Sequence, residues 1–169
     1  NVIASFIIFF DKPFVVGDYI KVQGISGVVE KIGFRSTRIR TLEKSFLTIP
    51  NNMLVSNVLD NMSLRTFRRS KFQVGLTYDT AIDQIKAIVK DVQAYIDGHE
   101  KTNQDGLVRF EEFGDSSLNL TILLYVDTKK YDEYMMVVED INFRIMEIVK
   151  EHGSDFAFPS TTVYLHKEN

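Results

Sequence analysis

The sequence feature that most constrains the fold is a series of short apolar segments separated by glycines within residues 13–51. Gly17-Asp18 and the segment 24–27 are turn signals, and Tyr19–Val22 between them alternates as a strand does. Four or five short strands at this spacing predict a small, strongly bent sheet or barrel. The remaining strands are predicted over residues 28–32, 36–41 and 46–49.

An apolar segment, NVIASFIIFF, precedes this β-rich region and predicts a helix over residues 1–10. Ten helical residues span roughly 15 Å, about half of a bilayer core, so the segment is too short to cross a membrane alone. Pro13 disfavours helix at Lys12 and ends it. The segment has neither the initial Met nor the positive region of a signal peptide, so we expect helix upstream. A buried core element of a soluble domain is the alternative.

A second module is predicted over residues 64–158, in the order β-α-β-β-α. Residues 64–71 form a basic connector, and strands follow over 72–78, 107–113 and 117–126. One amphipathic helix starts from a capping box at Thr80 and reaches a C-cap at Gly98. The other helix stops at Gly153. With a further strand over 161–166, this order is that of a split β-α-β, ferredoxin-like sandwich, which hosts many functions.

The net charge of −3 conceals two regions of opposite sign. Residues 12–71 contain 11 Lys and Arg against 4 Asp and Glu, a net charge of +7, whereas residues 72–169 contain 9 against 18, a net charge of −9. Such an asymmetry indicates two modules that face different surroundings. The basic region suits anionic lipid headgroups or nucleic acid, and a solvated surface without a ligand is the alternative.

Three arginines form the candidate basic face of the β-rich region: Arg35, Arg38 and Arg40. If strand alternation holds, Arg38 and Arg40 share one face of the sheet. They are candidates for an anion site, and edge charges that deter aggregation are the competing interpretation.

Catalytic and metal chemistry have little support in this sequence. The chain has no cysteine, which excludes disulfides, thiolate metal sites and a cysteine nucleophile. Its three histidines are far apart in the sequence and share no metal-ligand spacing. Residues 101–112 resemble a calcium loop, but Lys101 occupies the primary ligand position and would repel the ion. We therefore predict no enzyme, no catalytic residue, no metal and no cofactor.

A series of short motifs occurs in a fixed order along the whole chain. They are Pro13-Phe14, Gly17-Asp18, Ile20, Val22, Gly27-x-Val29, Ile32, Thr37, Arg40-Thr41, Ile49-Pro50-Asn51, Asn57-x-x-x-Asn61-x-Ser63, Tyr78-Asp79 and Phe158-Pro159. Each motif alone is a weak signal, but the ordered set is specific, and it resembles the small-conductance mechanosensitive channel family (MscS). A small residue, often Gly, is common in that family's pore helix where this chain has Ser5.

The resemblance implies an α+β fold in four parts. Residues 1–11 would be the end of the pore-lining transmembrane helix, 12–63 an Sm-like β-domain, and 64–158 a ferredoxin-like α/β domain. Residues 159–169 would be the C-terminal strand and tail of a heptameric parallel β-barrel. The implied location is the bacterial inner membrane, with this region in the cytoplasm.

The implied function is the cytoplasmic vestibule of a channel that releases ions and small osmolytes when hypo-osmotic shock puts the membrane under tension. The implied partners are six further copies of the chain, membrane lipid through upstream helices, and the permeating ions and osmolytes. The tension-sensing helices and the gate would lie outside these residues. No nucleic acid is expected. The rival interpretation is an Sm-like ring that binds RNA on its basic face, against which stand the acidic second module and the apolar start.

Two further groups of candidate site residues follow from this interpretation. Seven parallel copies of the barrel strand would pair with one another and close the edges that a single strand leaves open. The face that carries Val163 and Leu165 would point into the barrel. The membrane-proximal elbow consists of Phe9, Phe10, Lys12, Pro13 and Phe14, and the oligomeric barrel of Thr161, Val163 and Leu165.

Overall fold

The computed structural model describes residues 2–166, which divide into two compact units at the Arg65–Thr66 bond. The first unit contains a five-stranded antiparallel sheet in the order β4-β3-β2-β1-β5. Its elements are α1 (Val2–Asp11), β1 (Tyr19–Val22), β2 (Ile25–Ile32), β3 (Ser36–Arg40), β4 (Phe46–Pro50), α2 (Asn51–Ser56), β5 (Leu59–Asn61) and a 3₁₀ turn (Met62–Leu64).

Strand alternation builds the core of the first unit. In β1, Ile20 and Val22 are buried while Lys21 is exposed, as expected of a sheet with one solvated face. Gly27 permits the close approach of β2 and β3, because a Cβ at this position would lie 2.5 Å from the carbonyl oxygen of Arg40. The core consists of Ile8, Phe14, Ile20, Val22, Val29, Ile39, Ile49 and Leu54.

The sequence predicts a strand over residues 46–49, ended by Pro50, with no helix after it. The structure confirms the end of the strand and adds the short helix α2, in which Asn51 and Leu54 are buried. Pro50 precedes the helix with φ −58° and ψ 134°. Proline has no N–H to leave unsatisfied at a helix start, so its position is compatible with this turn of chain direction.

The second unit confirms the predicted β-α-β-β-α order. β8 lies between β6 and β7 in an antiparallel sheet, so α3 connects two strands that are not neighbours. The elements are β6 (Arg68–Leu76), α3 (Ile82–Gly98), β7 (Leu107–Phe113), β8 (Leu118–Val126) and α4 (Tyr131–Glu151). Apolar residues of both helices and of the sheet form one core, which includes Ile88, Ile96, Leu120, Leu124, Ile141 and Ile148.

Three local predictions in this unit were wrong. The basic connector 64–71 overlaps β6, which begins at Arg68 because Arg68 already pairs with Val126. Thr80 does not cap α3: its hydroxyl is 2.8 Å from that of Ser154, and Ala81 is the N-cap. Gly98 is the last residue of α3 rather than a left-handed cap, whereas Gly153 follows α4 with φ +69°.

Residues 161–166 form no strand with any other described segment of the chain. The segment just before them contacts β6, through an isolated bridge between Leu76 and Phe156 and a 2.9 Å hydrogen bond from the Ala157 N–H to the Gly75 carbonyl. A ladder needs a neighbouring strand. The predicted barrel strand would require that neighbour to come from another copy, and it stays a prediction.

Candidate functional site

The elbow begins where α1 ends. Lys12 adopts a left-handed conformation with φ +46°, and its N–H donates to the carbonyl of Ile8 at 3.2 Å. Pro13 follows directly, and proline is common just beyond such helix ends because it is unable to continue the helix. The break at Lys12-Pro13 is therefore where the sequence predicted it.

The aromatic residues of the elbow have two different environments. Phe9 and Phe10 are 70% and 72% exposed, and their rings meet edge to face at 5.4 Å. Phe14 is 1% exposed and belongs to the core of the first unit. Phe14 thus anchors the chain after the break, while Phe9 and Phe10 give α1 an apolar surface together with Ile3 and Phe6, which are also exposed.

A buried amide links α1 to the sheet. The Nδ2 group of Asn51 donates to the Ser5 hydroxyl at 3.1 Å and to the Gly33 carbonyl at 2.9 Å. Its Oδ1 accepts from the Thr37 hydroxyl at 2.8 Å, and the Ser5 hydroxyl in turn donates to the Phe34 carbonyl. Because Asn51 is 1% exposed, these partners replace the water that would otherwise solvate its amide.

A second set of hydrogen bonds fixes the segment that follows the elbow. Asn61 donates from Nδ2 to the Asp18 carboxylate at 2.8 Å and to the Pro13 carbonyl at 3.1 Å. The same carboxylate oxygen accepts from the Val15 N–H at 2.9 Å. Asp18 and Asn61 both occur in the motifs quoted above, but the sequence did not show that they meet, since 43 positions separate them.

The basic face confirms the predicted alternation of β3. Thr37 and Ile39 are buried, and Arg38 and Arg40 lie on the opposite face. Both guanidinium groups lie over the ring of Phe46, at 3.9 Å for Arg40 and 5.3 Å for Arg38. These distances are those of cation–π contacts.

Glu30 compensates part of the positive charge on this face. Its carboxylate forms an ion pair with Arg40, which also donates from Nη1 to the Lys44 carbonyl at 3.0 Å. Arg35 is exposed and lies in the connection before β3. Arg38 and Arg40 therefore form a packed cation–aromatic surface with Phe46, and Arg35 is not among the cations over that ring.

The two helices of the second unit are joined by paired polar contacts. His99, which follows α3, lies 3.3 Å from the Asp140 carboxylate on α4. His152, which follows α4, lies 2.6 Å from the Asp91 carboxylate on α3. The Tyr95 hydroxyl donates to Asp140 at 2.6 Å, and this hydrogen bond, with burial second, raises the pKa of Tyr95. Sequence reasoning missed these contacts because their members lie on different helices.

The predicted barrel residues lie at the surface of the described chain. Thr161, Val163 and Leu165 are all exposed, the last two by 70% and 90%. Most of the surface of both apolar side chains is therefore open. Across residues 2–166, no three His, Asp or Glu side chains come together as a metal site would require. No helix within that range is long and apolar enough to cross a membrane.

Two domain families match the chain in succession. The mechanosensitive ion channel β-domain matches residues 1–64, and the C-terminal domain of the mechanosensitive ion channel MscS matches residues 70–156. Both describe domains of mechanosensitive channels, which is the class of protein that this arrangement defines.

Curated relatives agree with this class. An MscS family protein of Aquifex aeolicus is 45% identical over 99% of this chain and 46% of its own length. The small-conductance mechanosensitive channel MscMJ of Methanocaldococcus jannaschii is 41% identical over 100% of this chain and 48% of its own. The chain belongs to the MscS family of mechanosensitive channels, and it spans about half the length of these relatives.

A solved structure confirms the fold. The cryo-EM structure of Arabidopsis thaliana MSL1 superposes with a TM-score of 0.85 over 96% of this chain and 58% of that chain, at 24% identity. At this identity the likeness concerns the fold, which is a mixed α and β architecture with antiparallel sheets.

Proposed function

We propose that this chain is the cytoplasmic vestibule of a mechanosensitive channel that releases ions and small osmolytes when tension opens the membrane pore. The observation that carries the proposal is the junction at α1. There an apolar helix with exposed phenylalanines is fixed to a β-sheet through the buried Asn51. A vestibule needs such a rigid joint, because motion of a pore helix must be transmitted to the domain below it.

The parts of the chain then take the following roles. α1 is the cytoplasmic end of the pore-lining helix, and residues 12–63 form the Sm-like β-domain. Residues 64–158 form the ferredoxin-like domain, for which the β6-β8-β7 order with two helices is the support. Residues 159–169 supply the barrel strand and tail of a homoheptamer. The protein lies in the bacterial inner membrane with this region in the cytoplasm.

The elbow and the basic region lie nearest the membrane in this proposal. Exposed Phe9 and Phe10 suit the bilayer interface, and the +7 charge of residues 12–71 suits the anionic inner leaflet. The −9 charge of residues 72–169 suits a wall that attracts cations.

The test is survival of hypo-osmotic shock. The full-length protein should protect a bacterial strain that lacks its own mechanosensitive channels, and patches from that strain should show tension-gated currents. A protein that reaches the membrane but gives neither protection nor current would contradict the proposal.

The RNA-binding alternative has no supporting observation. Arg40 is already paired with Glu30 and stacked on Phe46. RNA binding would have to be strong and fall steeply with salt, and its absence in a titration at low salt would remove the alternative.

A further inference from the structure

An apolar groove of about 880 Å³ runs along the flank of α3 that faces β7. Val89 and Phe110 line it, and Ile82 and Phe113 stand at its edges with 70% and 74% of their surface exposed. A continuous apolar surface of this kind is characteristic of an interaction site.

Positive charge surrounds this groove. Lys86, Lys90 and Arg109 line it together with one acid, Asp97. Within residues 2–166 none of the three cations forms an ion pair. The groove therefore suits an occupant that is apolar along its centre and acidic along its side.

Helix α4 of the same unit carries such a surface. Exposed positions recur at helical spacing and form a ridge of apolar, acidic and amide side chains, with the basic Lys150 one turn beyond its last member. Met135 and Met146 are 44% and 56% exposed, and methionine is a flexible apolar side chain that adapts well to partner surfaces. The ridge consists of Tyr131, Asp132, Met135, Glu139, Asn142 and Met146.

The groove and the ridge lie on opposite flanks of the second unit. The side of α4 that faces α3 is marked by Asp140, which contacts Tyr95 and His99. The ridge residues lie on another side of α4, and the groove residues of α3 lie on the side away from Tyr95. One copy is thus unable to fill its own groove with its own ridge.

We infer that the groove of one copy receives the α4 ridge of the next copy. Lys86 and Lys90 would then face Asp132 and Glu139 across an apolar centre, which gives both burial and charge complementarity. A contact between two unlike faces is heterologous, and repeated copies of it form a ring when the rotation from one copy to the next closes. The inference rests on the self-association in the proposed function and names the surfaces that make it.

Cysteine cross-linking in the full-length channel tests the contact. The described chain offers a clean background because it has no cysteine, and any cysteine upstream is replaced by serine. Phe113→Cys combined with Met146→Cys, treated with a short bifunctional maleimide, should give a ladder of dimers and larger species. Either single variant should stay monomeric on a denaturing gel, because a heterologous contact brings together only unlike positions.

The matched control pairs Phe113→Cys with Glu147→Cys, the next position along α4 and outside the ridge. It should cross-link several-fold less. Equal ladders from both pairs, dimers from a single variant, or cross-links to a different protein would overturn the inference.

A charge swap supplies an independent test. Lys86→Glu should lower the cross-linked fraction about threefold to tenfold, since it turns an attractive exposed pair into a repulsive one. Adding Glu139→Lys should restore cross-linking. No loss, or a loss without rescue, would count against the contact. A channel that still conducts under tension but shows no ladder refutes this contact alone, whereas a protein without tension-gated current refutes the proposed function.

Discussion

The side chain of Asn51 determines how α1 is attached, because every polar atom of its amide is used. Replacing it by alanine leaves the Thr37 hydroxyl buried without its acceptor and removes the donors to Ser5 and Gly33. Unsatisfied buried polar groups of this kind cost about 1–3 kcal/mol each.

We therefore expect Asn51→Ala to lower the free energy of unfolding of the first unit by about 1–3 kcal/mol, measured from the urea midpoint. Asn52→Ala is the matched control, because Asn52 is exposed, and its effect should stay within about 0.5 kcal/mol. Equal effects of the two substitutions would show that burial of the Asn51 amide contributes nothing.

Tyr95 gives a residue-scale prediction about pH. Its hydrogen bond to Asp140 raises the pKa of the phenol above the ordinary value of 10.0. Because the folded pKa is the higher one, the contribution to stability is present below pH 10 and is lost as the pH rises through the folded pKa. Asp140→Asn should bring the tyrosine titration, followed by ultraviolet absorbance, back toward lower pH. Tyr95→Phe should remove a component that titrates above pH 10, and an unchanged titration curve in both variants would contradict the assignment.

At the scale of elements, α1 is the helix whose surroundings matter most. These 169 residues contain no tryptophan, and any tryptophan elsewhere in the full channel is replaced by phenylalanine. Phe10→Trp then introduces a single reporter at an exposed position of α1. In the full channel we expect lipid-bound quenchers to reduce its fluorescence, since aromatic side chains favour the bilayer interface. Phe14→Trp is the comparison, because Phe14 is buried in the protein core. Quenching that is equally weak at both positions would mean that Phe10 packs against protein.

The elements themselves were largely predictable where apolar periodicity was strong. α3, α4, β1, β7 and β8 lie where the pattern predicted them, because each buries a regular stripe or an alternating face. The short helix α2 was missed, since six residues carry too little periodicity to distinguish a helix from a loop.

The candidate site was predictable only in part. The position of Pro13 identified the break at Lys12. Strand alternation identified the shared face of Arg38 and Arg40. The sequence did not show that Thr80 would contact Ser154 instead of capping α3, because 74 positions separate the two residues. The sequence did not show the partners of Asn51 and Asp18 either, because those partners are also distant along the chain. Local patterns predict elements, while polar contacts between distant segments depend on the completed fold.

At the scale of the whole molecule, the segment 161–166 is expected to assemble copies. Val163→Asp should weaken the oligomer, because it would place several like charges close together in the barrel. Light scattering of the full channel measures the mass, and Tyr164→Asp on the alternate side of the strand is the control. A fully assembled Val163→Asp variant would show that Val163 does not face the interior.

The charge division gives the second prediction at this scale. Glu100→Gln with Asp127→Asn removes two exposed acids from the acidic region, and we expect a smaller cation preference in single-channel reversal potentials. Glu43→Gln with Asp60→Asn removes two exposed acids from the basic region and should leave the preference nearly unchanged. If both pairs of substitutions leave the reversal potential where it was, the acidic region does not select ions.

The exposed segment 163–165 has a consequence for how fast the protein is degraded in the cell. Val163, Tyr164 and Leu165 are 70%, 86% and 90% exposed and pair with no described segment of their own chain. Exposed segments that no hydrogen-bonded neighbour ties down are preferred sites of proteolysis. If this segment forms the proposed barrel, assembly would cover it, and we expect a copy without partners to be degraded faster. Pulse-chase labelling would reveal this as faster turnover of copies produced in excess, and equal turnover of excess and assembled copies would contradict it.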